Sequence, residues 1–218
     1  MTENMARLVA VSNRLPIKLV KKDDHWQVRP GAGGLVTALA PVLKNRGGIW
    51  IGWSGGTQDT VLSSLLGDAS KMSGYDLHPV PLAQEEIRGY YYGFSNEIIW
   101  PLFHDLQTRC NFRPWYWYTY LHVNRKFADI ICRTIRPDDF IWIHDYHLFH
   151  CALFLRELGT RNRIGFFLHI PFPPVDIFLK LPWRKQIINA LLQYDLIGFQ
   201  TRRDRRHFLD CVHRFFPD

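Results

Sequence analysis

Two short polar segments each follow a run of apolar residues in the second half of the chain. The first is His144-Asp145-Tyr146-His147, and the second begins at His169 and continues into Ile170-Pro171-Phe172-Pro173-Pro174. Imidazole and carboxylate groups can bind hydroxyl groups, transfer protons or hold a metal ion. These segments are therefore the first candidates for a functional site.

The residues between the two segments predict how they are positioned. Residues 140–143 are bulky or β-branched and predict a buried strand, and the apolar run that ends at Leu168 predicts another. Between the strands, Gly159 follows apolar residues at the spacing of one helical face: Leu148, Cys151, Ala152, Leu155 and Leu158. A strand–helix–strand unit of this kind is parallel with a right-handed crossover, so both strands end at one edge of the sheet. Ligands of open α/β sheets bind at that edge, and we expect Asp145 and His169 to face one cleft there.

Two other chemistries fit these residues less well. His144, Asp145 and His147 could ligate a divalent ion, but alternate residues of a strand point to opposite sides and no second carboxylate cluster lies nearby in the sequence. A Ser-His-Asp hydrolase often carries a G-x-S-x-G motif, which the sequence lacks. We therefore expect neither a metal site nor acyl transfer, and the remaining groups suit the binding of a hydroxyl-rich anion.

A glycine-rich segment near the amino terminus could contribute to the same cleft. Gly31-Ala32-Gly33-Gly34 precedes apolar residues at helical spacing, so it predicts a loop that opens a helix. Free backbone N–H groups and the positive end of the helix dipole suit a phosphate or pyrophosphate. Because the segment is neither a P-loop nor G-x-G-x-x-G, a tight turn without a ligand is an equal alternative.

The rest of the chain alternates between strand and helix patterns. Predicted strands cover residues 8–11, 49–53, 75–80 and 194–200, with a hairpin over 17–28, and predicted helices cover 84–100, 121–135, 178–192 and 201–216. Residues 57–74 are rich in turn formers and predict no element. Aromatic residues are dense at 90–94 and 112–120, a pattern typical of core packing and also of sugar binding.

Composition narrows the classes of protein. With 218 residues, 47% of them apolar and 22% charged, the chain is typical of one globular α/β domain. No apolar run approaches the roughly 18 residues of a membrane span, and residues 1–11 lack the pattern of a signal peptide. We therefore expect a cytoplasmic protein that does not associate with a membrane. The four cysteines are scattered, which favours reduced thiols. The net charge of +7 comes without a nucleic-acid-binding motif, so we expect no nucleic acid, and the positive charge indicates either a small anionic ligand or an ordinary solvated surface.

Several motifs taken together resemble one family. They are VSNRLP, GAGGL, WIGWSG, YYYGFSNEIIWPLFH, IWIHDYHL, RIGFFLHIPFPP and YDLIGFQT, in this order over nearly the whole chain. This set is similar to the trehalose-phosphate synthase family of retaining glycosyltransferases. The resemblance implies a Rossmann-like parallel sheet with helices on both faces, the first half of a GT-B fold. It also implies transfer of glucose from UDP-glucose to glucose 6-phosphate, without a cofactor.

The resemblance assigns roles on the acceptor side of such a site. Arg14 in VSNR and Tyr91 in the tyrosine cluster match contacts to the acceptor phosphate. Trp100 and Asp145 match residues that hold the acceptor sugar, and Trp53 matches an aromatic wall. Asp145 is also one of the two residues implied in catalysis.

The donor side is implied in the same way. Gly33 and Gly34 match a loop near the donor, and His169 matches the second implied catalytic residue, beside the transferred glucose. Family members carry a second, donor-binding domain after this region, so residues 1–218 resemble the amino-terminal acceptor domain alone, which we expect to bind acceptor without turnover. A related transferase with another donor or acceptor, and a non-catalytic sugar-phosphate-binding module, remain alternatives, and the sequence is compatible with a homo-oligomer without fixing the oligomeric state.

Overall fold

The computed structural model describes residues 6–22, 25–56 and 59–217, and its centre is a six-stranded parallel sheet. The described strands are β1 (Leu8–Arg14), β2 (Ile17–Lys22), β3 (His25–Pro30), β4 (Gly48–Trp53), β5 (Asp76–Pro79), β6 (Phe140–His144), β7 (Ile164–Leu168) and β8 (Leu196–Phe199). The order in the sheet is β5-β4-β1-β6-β7-β8 with every neighbouring pair parallel, whereas β2 and β3 form a separate antiparallel hairpin. The predicted α/β fold with a parallel sheet is confirmed.

Helices connect the strands. They are α1 (Gly34–Arg46), α2 (Asp59–Ser73), α3 (Gln84–Glu86), a π-helix (Ile87–Ile99), α4 (Trp100–Phe103), α5 (Pro114–Thr134), α6 (Cys151–Glu157), α7 (Val175–Phe178), α8 (Arg184–Leu191) and α9 (Arg202–Phe215). Short 3₁₀ turns cover Gln107–Arg109 and Tyr146–Leu148. No helix in the described part of the chain is long and apolar enough to cross a membrane.

Both faces of the sheet are covered by helices, as predicted. Val9 and Val11 of β1 point into a core that includes Phe127 of α5. Ala10, between them, points to the other face and packs in a cluster with Leu43 of α1. This alternation explains why the strands are apolar almost throughout, since each face of a doubly covered sheet is buried.

The unit β6–α6–β7 confirms the predicted parallel strand–helix–strand arrangement but begins its helix later. Asp145 accepts a hydrogen bond from the backbone N–H of Tyr146 at 3.0 Å and opens the 3₁₀ turn, so α6 starts at Cys151 rather than at Leu148. The helix ends at Glu157, and Gly159 follows with φ of 81°. Glycine reaches this left-handed conformation without steric cost, which explains its position after the helix.

The segment at residues 84–100 is helical, but its glycines do not interrupt it. A Cβ atom on Gly93 would lie 2.5 Å from the ring of Tyr116, and one on Gly89 would lie 2.5 Å from the ring of Trp115. The glycines therefore let the π-helix approach α5 closely. The aromatic residues at 112–120 belong largely to the first turns of α5, where they pack against this surface.

Two further helix predictions need correction. Residues 57–74 predicted no element, yet residues 59–73 form α2, while residues 57 and 58 lie outside the described residues. The predicted helix over 178–192 is confirmed only for α8, because α7 ends at Phe178 and Pro182, which cannot donate the backbone hydrogen bond of a continuous helix, lies between the two helices. The last helix agrees with the prediction and is capped by Thr201, whose Oγ1 accepts from the N–H of Asp204 at 3.1 Å.

Candidate active site

Asp145 and His169 lie side by side where β6 and β7 end. The strands are neighbours in the sheet, and His144 at the end of β6 lies opposite Phe167 of β7. The backbone N–H of Asp145 donates to the carbonyl oxygen of Phe167 at 2.8 Å. The backbone N–H of His169 donates in turn to Oδ1 of Asp145 at 3.3 Å. The predicted placement of both residues at neighbouring strand ends is confirmed, but His169, unlike Asp145, is not among the described residues that line the cleft beside Arg14.

Asp145 has an unusual backbone conformation. Its φ of 74° and ψ of 164° lie in a region that residues with a side chain rarely adopt, which costs on the order of 1–3 kcal/mol. Its carboxylate accepts the N–H groups of both Tyr146 and His169, which holds the strained residue in place. Burial raises the pKa of Asp145, while these two hydrogen bonds and the charge of His169 act in the opposite direction. The conformation aims a partly desolvated carboxylate at the sheet edge.

Arg14 brings a cation to the same edge. It ends β1, where the pairing with β4 shifts register between Val11 and Arg14. Its guanidinium carbon lies 4.4 Å from the ring centre of Trp53 and 5.4 Å from that of Tyr91. Cation–π contacts of this kind hold the planar group without neutralising it. Among the described residues Arg14 has no ion-pair partner, so its charge is open to a ligand.

A cleft of about 320 Å³ joins these groups to the glycine-rich loop. Arg14, Asp145, His147, Gly33 and Gly34 all line it. Gly33 has φ of 148° and immediately precedes α1, whose first turn contains no acidic residue. Around Gly34 no heavy atom lies within 4 Å of the place where a Cβ atom would be. Free N–H groups of the helix start therefore border the same space as the Arg14 guanidinium.

Trp53 and Tyr91 form one aromatic wall, and Trp100 lies apart from it. The rings of Trp53 and Tyr91 are 5.8 Å apart. The ring of Trp100 stacks on His104 at 4.2 Å, and its side chain is 39% exposed and lies outside the lining of the cleft. Burial raises the pKa of Asp145, and the charge of His104 is one of the weaker effects that oppose it. Trp100 is therefore linked to Asp145 only through this weak effect of His104.

His147 lines the cleft, as its place in the first candidate segment predicted, although no specific role was assigned to it beyond the rejected metal site. Its ring stacks on that of Tyr91 at 5.8 Å with planes 14° apart, on the side of the cleft where Arg14 contacts Tyr91. Burial, and then the charge of Arg14, lower the pKa of His147 to about 3, so the ring is neutral. Both of its ring nitrogens are buried without a hydrogen-bond partner among the described residues. In the sequence, the position of His147 two residues after Asp145 is the feature that indicates its place in the site.

Nothing in the described residues forms a metal centre, because no three histidine, cysteine, aspartate or glutamate residues there are grouped closely enough to hold an ion. Arg14, Lys18 and free backbone N–H groups are instead the positive groups among the described residues of the cleft. One carboxylate, one guanidinium supported from behind by two aromatic rings, and a glycine loop can together hold a molecule that carries both hydroxyl groups and negative charge.

Comparison of the chain with known protein families and with curated proteins points to the same family. The model of glycosyltransferase family 20 matches residues 6–217. The chain is 41% identical over 210 residues to the trehalose-6-phosphate synthase of Mycolicibacterium vanbaalenii, covering 96% of this chain and 43% of that protein. It is 43% identical over 210 residues to the trehalose-6-phosphate synthase of Cronobacter sakazakii, covering 95% of this chain and 42% of that protein. The chain thus spans less than half the length of these relatives.

Solved structures agree. A UDP-forming α,α-trehalose-phosphate synthase from Burkholderia xenovorans matches with a TM-score of 0.81 and 36% identity, covering 96% of this chain and 42% of that one. A structure of such an enzyme from the same organism in complex with glucose-6-phosphate matches with a TM-score of 0.78 and 34% identity, covering 96% and 43%. The Escherichia coli protein bound with UDP-2-fluoro glucose matches with a TM-score of 0.79 and 38% identity, covering 96% of this chain and 43% of that one.

Proposed function

This chain belongs to glycosyltransferase family 20, and on that basis we propose that it is the acceptor-binding half of a trehalose-phosphate synthase. The reaction is the transfer of glucose from UDP-glucose to glucose 6-phosphate with retention, giving α,α-trehalose 6-phosphate and UDP. The substrates are small molecules, and no cofactor takes part. The observation that carries the proposal is the cleft lined by both Asp145 and Arg14, whose guanidinium has no ion-pair partner among the described residues.

The acceptor has two chemical parts that match these two groups. Arg14 can hold a phosphate through two parallel charge-assisted hydrogen bonds, and Tyr91 lies beside it to add a hydroxyl donor. Asp145 can accept hydrogen bonds from sugar hydroxyls. In the proposal Trp53 is the wall against which the Arg14 guanidinium packs, and Trp100, which lies outside the lining of this cleft and is 39% exposed, offers its ring to the acceptor sugar from beside it. The complex of a 34% identical relative with glucose-6-phosphate supports this choice of acceptor.

The donor is placed at the other side of the same edge. Backbone N–H groups at Gly33 and Gly34 suit the pyrophosphate of UDP-glucose, because neither residue has a side chain and no atom of another described segment lies within 4 Å of the place where a Cβ atom would be. His169 lies beside the transferred glucose. The sugar of the donor and the hydroxyl of the acceptor then meet near Asp145 and His169, the two catalytic residues of the proposal.

The chemistry needs positioning rather than a protein nucleophile. The acceptor oxygen forms a bond to the anomeric carbon on the face from which the bond to the UDP oxygen breaks. The leaving phosphate oxygen takes the proton of the acceptor hydroxyl, so the products are the disaccharide phosphate and UDP. Alignment of the two substrates and stabilisation of the developing phosphate charge account for the rate.

The relatives are more than twice as long as this chain, and we place the remaining donor contacts in a second domain like theirs. The test is release of UDP from UDP-glucose. A polypeptide that carries both halves should release UDP only when glucose 6-phosphate is added, whereas this chain alone should bind acceptor without turnover. Equal UDP release with glucose, or with no acceptor, would rule out the proposed reaction.

A further inference from the structure

His144 and His169 contact each other through one ring nitrogen each. The distance between Nδ1 of His144 and Nε2 of His169 is 3.2 Å, and the ring centres are 5.4 Å apart. His144 is only 1% exposed, whereas His169 is half-buried. The two rings lie on the same face of neighbouring strands, since His144 is opposite Phe167 and His169 is two residues further on.

Both rings are neutral, so the shared hydrogen bond has a direction. Burial, and then the neighbouring His169, lower the pKa of His144 to about 3. Burial also lowers the pKa of His169, against the opposite effect of the Asp145 charge. A neutral imidazole has one N–H and one bare nitrogen, so one ring must donate and the other must accept.

The free nitrogen of His144 decides the direction. Its Nε2 is buried and has no hydrogen-bond partner among the described residues. If His169 donated, His144 would carry its proton on Nε2 and bury an unpaired N–H. If His144 donates from Nδ1, its Nε2 carries no proton and is only an acceptor without a donor. Unpaired buried N–H groups are rarer in proteins than under-satisfied acceptors, which favours His144 as the donor.

We propose that His144 is a positioning residue whose Nδ1–H donates to Nε2 of His169 and thereby holds His169 with its proton on Nδ1. Nδ1 of His169 has no hydrogen-bond partner among the described residues and is not one of their buried unpaired atoms, so it is open to solvent. His169 then presents an N–H donor to its ligand. On the proposed function, which this last step requires, the recognised group is an oxygen of the sugar nucleotide.

The tautomer can be read without any substrate. Long-range ¹H–¹⁵N correlation spectra of the chain labelled with ¹⁵N-histidine, at a pH near 7.5, should show His169 protonated at Nδ1 and bare at Nε2. A His169 protonated at Nε2 would overturn the proposal. Because no ligand is present, this result stands apart from the transfer reaction, and either claim can fail while the other holds.

Two variants test whether His144 is the cause. The amide of His144→Asn can still donate from near the position of Nδ1, so His169 should keep its proton on Nδ1. His144→Leu removes the donor, and the Nε2–H form of His169 should then appear. An unchanged tautomer in the leucine variant, or its loss in the asparagine variant, would contradict the proposal, and the wild-type spectrum decides even where the leucine variant does not fold.

Kinetics of a polypeptide that carries both halves give a second readout. His144→Leu should lower kcat/KM for UDP-glucose by about tenfold, the effect of one misdirected hydrogen bond, and His144→Asn should restore most of it. The KM for glucose 6-phosphate should stay within about twofold of wild type, since Arg14 and Asp145 are untouched and His144, although it borders the same cleft, is only 1% exposed. A loss shared equally by both substrates would indicate general distortion instead of positioning.

Discussion

The backbone N–H of His169 donates to Oδ1 of Asp145 at 3.3 Å, across 24 residues of chain. The bond ties the polar segment after β6 to the one after β7. Asp145 therefore has two functions in our account, because the carboxylate that would contact the acceptor also fixes the geometry of the sheet edge. Substitutions at this residue should separate the two.

Asp145→Asn and Asp145→Ala should differ in stability. Asparagine keeps an oxygen for the N–H groups of Tyr146 and His169, whereas alanine leaves both unpaired at a positive φ, at a cost of about 1–3 kcal/mol. Denaturant unfolding measures this difference. Both variants should lose about tenfold or more in affinity for glucose 6-phosphate by calorimetry, since a charged acceptor is lost. An alanine variant as stable as wild type would show that the two hydrogen bonds contribute little.

Gly93→Ala should destabilise the chain through overpacking. The new methyl group would lie 2.5 Å from the ring of Tyr116, and such insertions cost about 1–3 kcal/mol. Gly67→Ala is the matched control, because Gly67 is exposed in α2 with no atom within 4 Å of the new methyl group. That substitution should stabilise the helix by about 0.5–1 kcal/mol. Equal shifts of the unfolding midpoint in both variants would refute the packing argument.

Acid should destabilise the fold through three buried histidines. Burial is the main cause that lowers the pKa of His144, His147 and His150 to about 3 each. In the unfolded chain a histidine has a pKa of about 6.5, so between about pH 6.5 and 3 these residues bind a proton in the unfolded state but not in the folded state. The free energy of unfolding therefore keeps the full contribution of these residues above about pH 6.5. As the pH falls from about 6.5 towards 3, it decreases by about 1.4 kcal/mol per pH unit for each residue.

His150→Gln isolates one of these contributions. The free energy of unfolding measured between pH 6 and 5 should fall less steeply than in wild type, by roughly 1.4 kcal/mol per pH unit. His213→Gln, a replacement of an exposed histidine in α9, is the control and should leave the wild-type slope. Identical slopes in all three proteins would mean that His150 becomes protonated within the folded state.

Chelation should not affect acceptor binding. The described residues contain no cluster of metal ligands, and Arg14 with free backbone N–H groups can meet the phosphate charge. Calorimetric titration with glucose 6-phosphate after treatment with EDTA should therefore give the untreated affinity. Lost binding that one specific divalent ion restores would disprove this prediction.

The sequence predicted those features that depend on local pattern. Short apolar runs between turns marked the sheet strands, and the crossover rule placed Asp145 beside His169. Helix α2 was missed because its glycine and serines are poor helix formers. Leu66 and Ala69 of that helix are buried in the cluster that contains Trp50, so tertiary packing stabilises what propensity does not.

Contacts between distant segments could not be predicted in this way. The placement of Arg14 over Trp53 and Tyr91 joins three separate stretches of chain. The hydrogen bond between His144 and His169 depends on strand register to within one residue, because a shift of one position turns a side chain to the other face. Motif resemblance named several of these residues without indicating which of them touch.

The central claim is that Arg14 recognises the phosphate of a sugar phosphate. Charge-assisted hydrogen bonds contribute roughly 1.5–3 kcal/mol each, so the phosphate should raise affinity by about tenfold or more. Arg163→Ala is a suitable control, because it removes an equal charge from an exposed residue just before β7, at the other end of the strand that leads to His169.

Calorimetric titration of the chain with glucose 6-phosphate and with glucose tests this claim most directly. Wild type and Arg163→Ala should both prefer glucose 6-phosphate by about tenfold or more, and Arg14→Ala should lose most of that preference while its affinity for glucose stays nearly unchanged. Equal affinity of the wild-type chain for the two sugars, or a full preference in Arg14→Ala, would contradict the account.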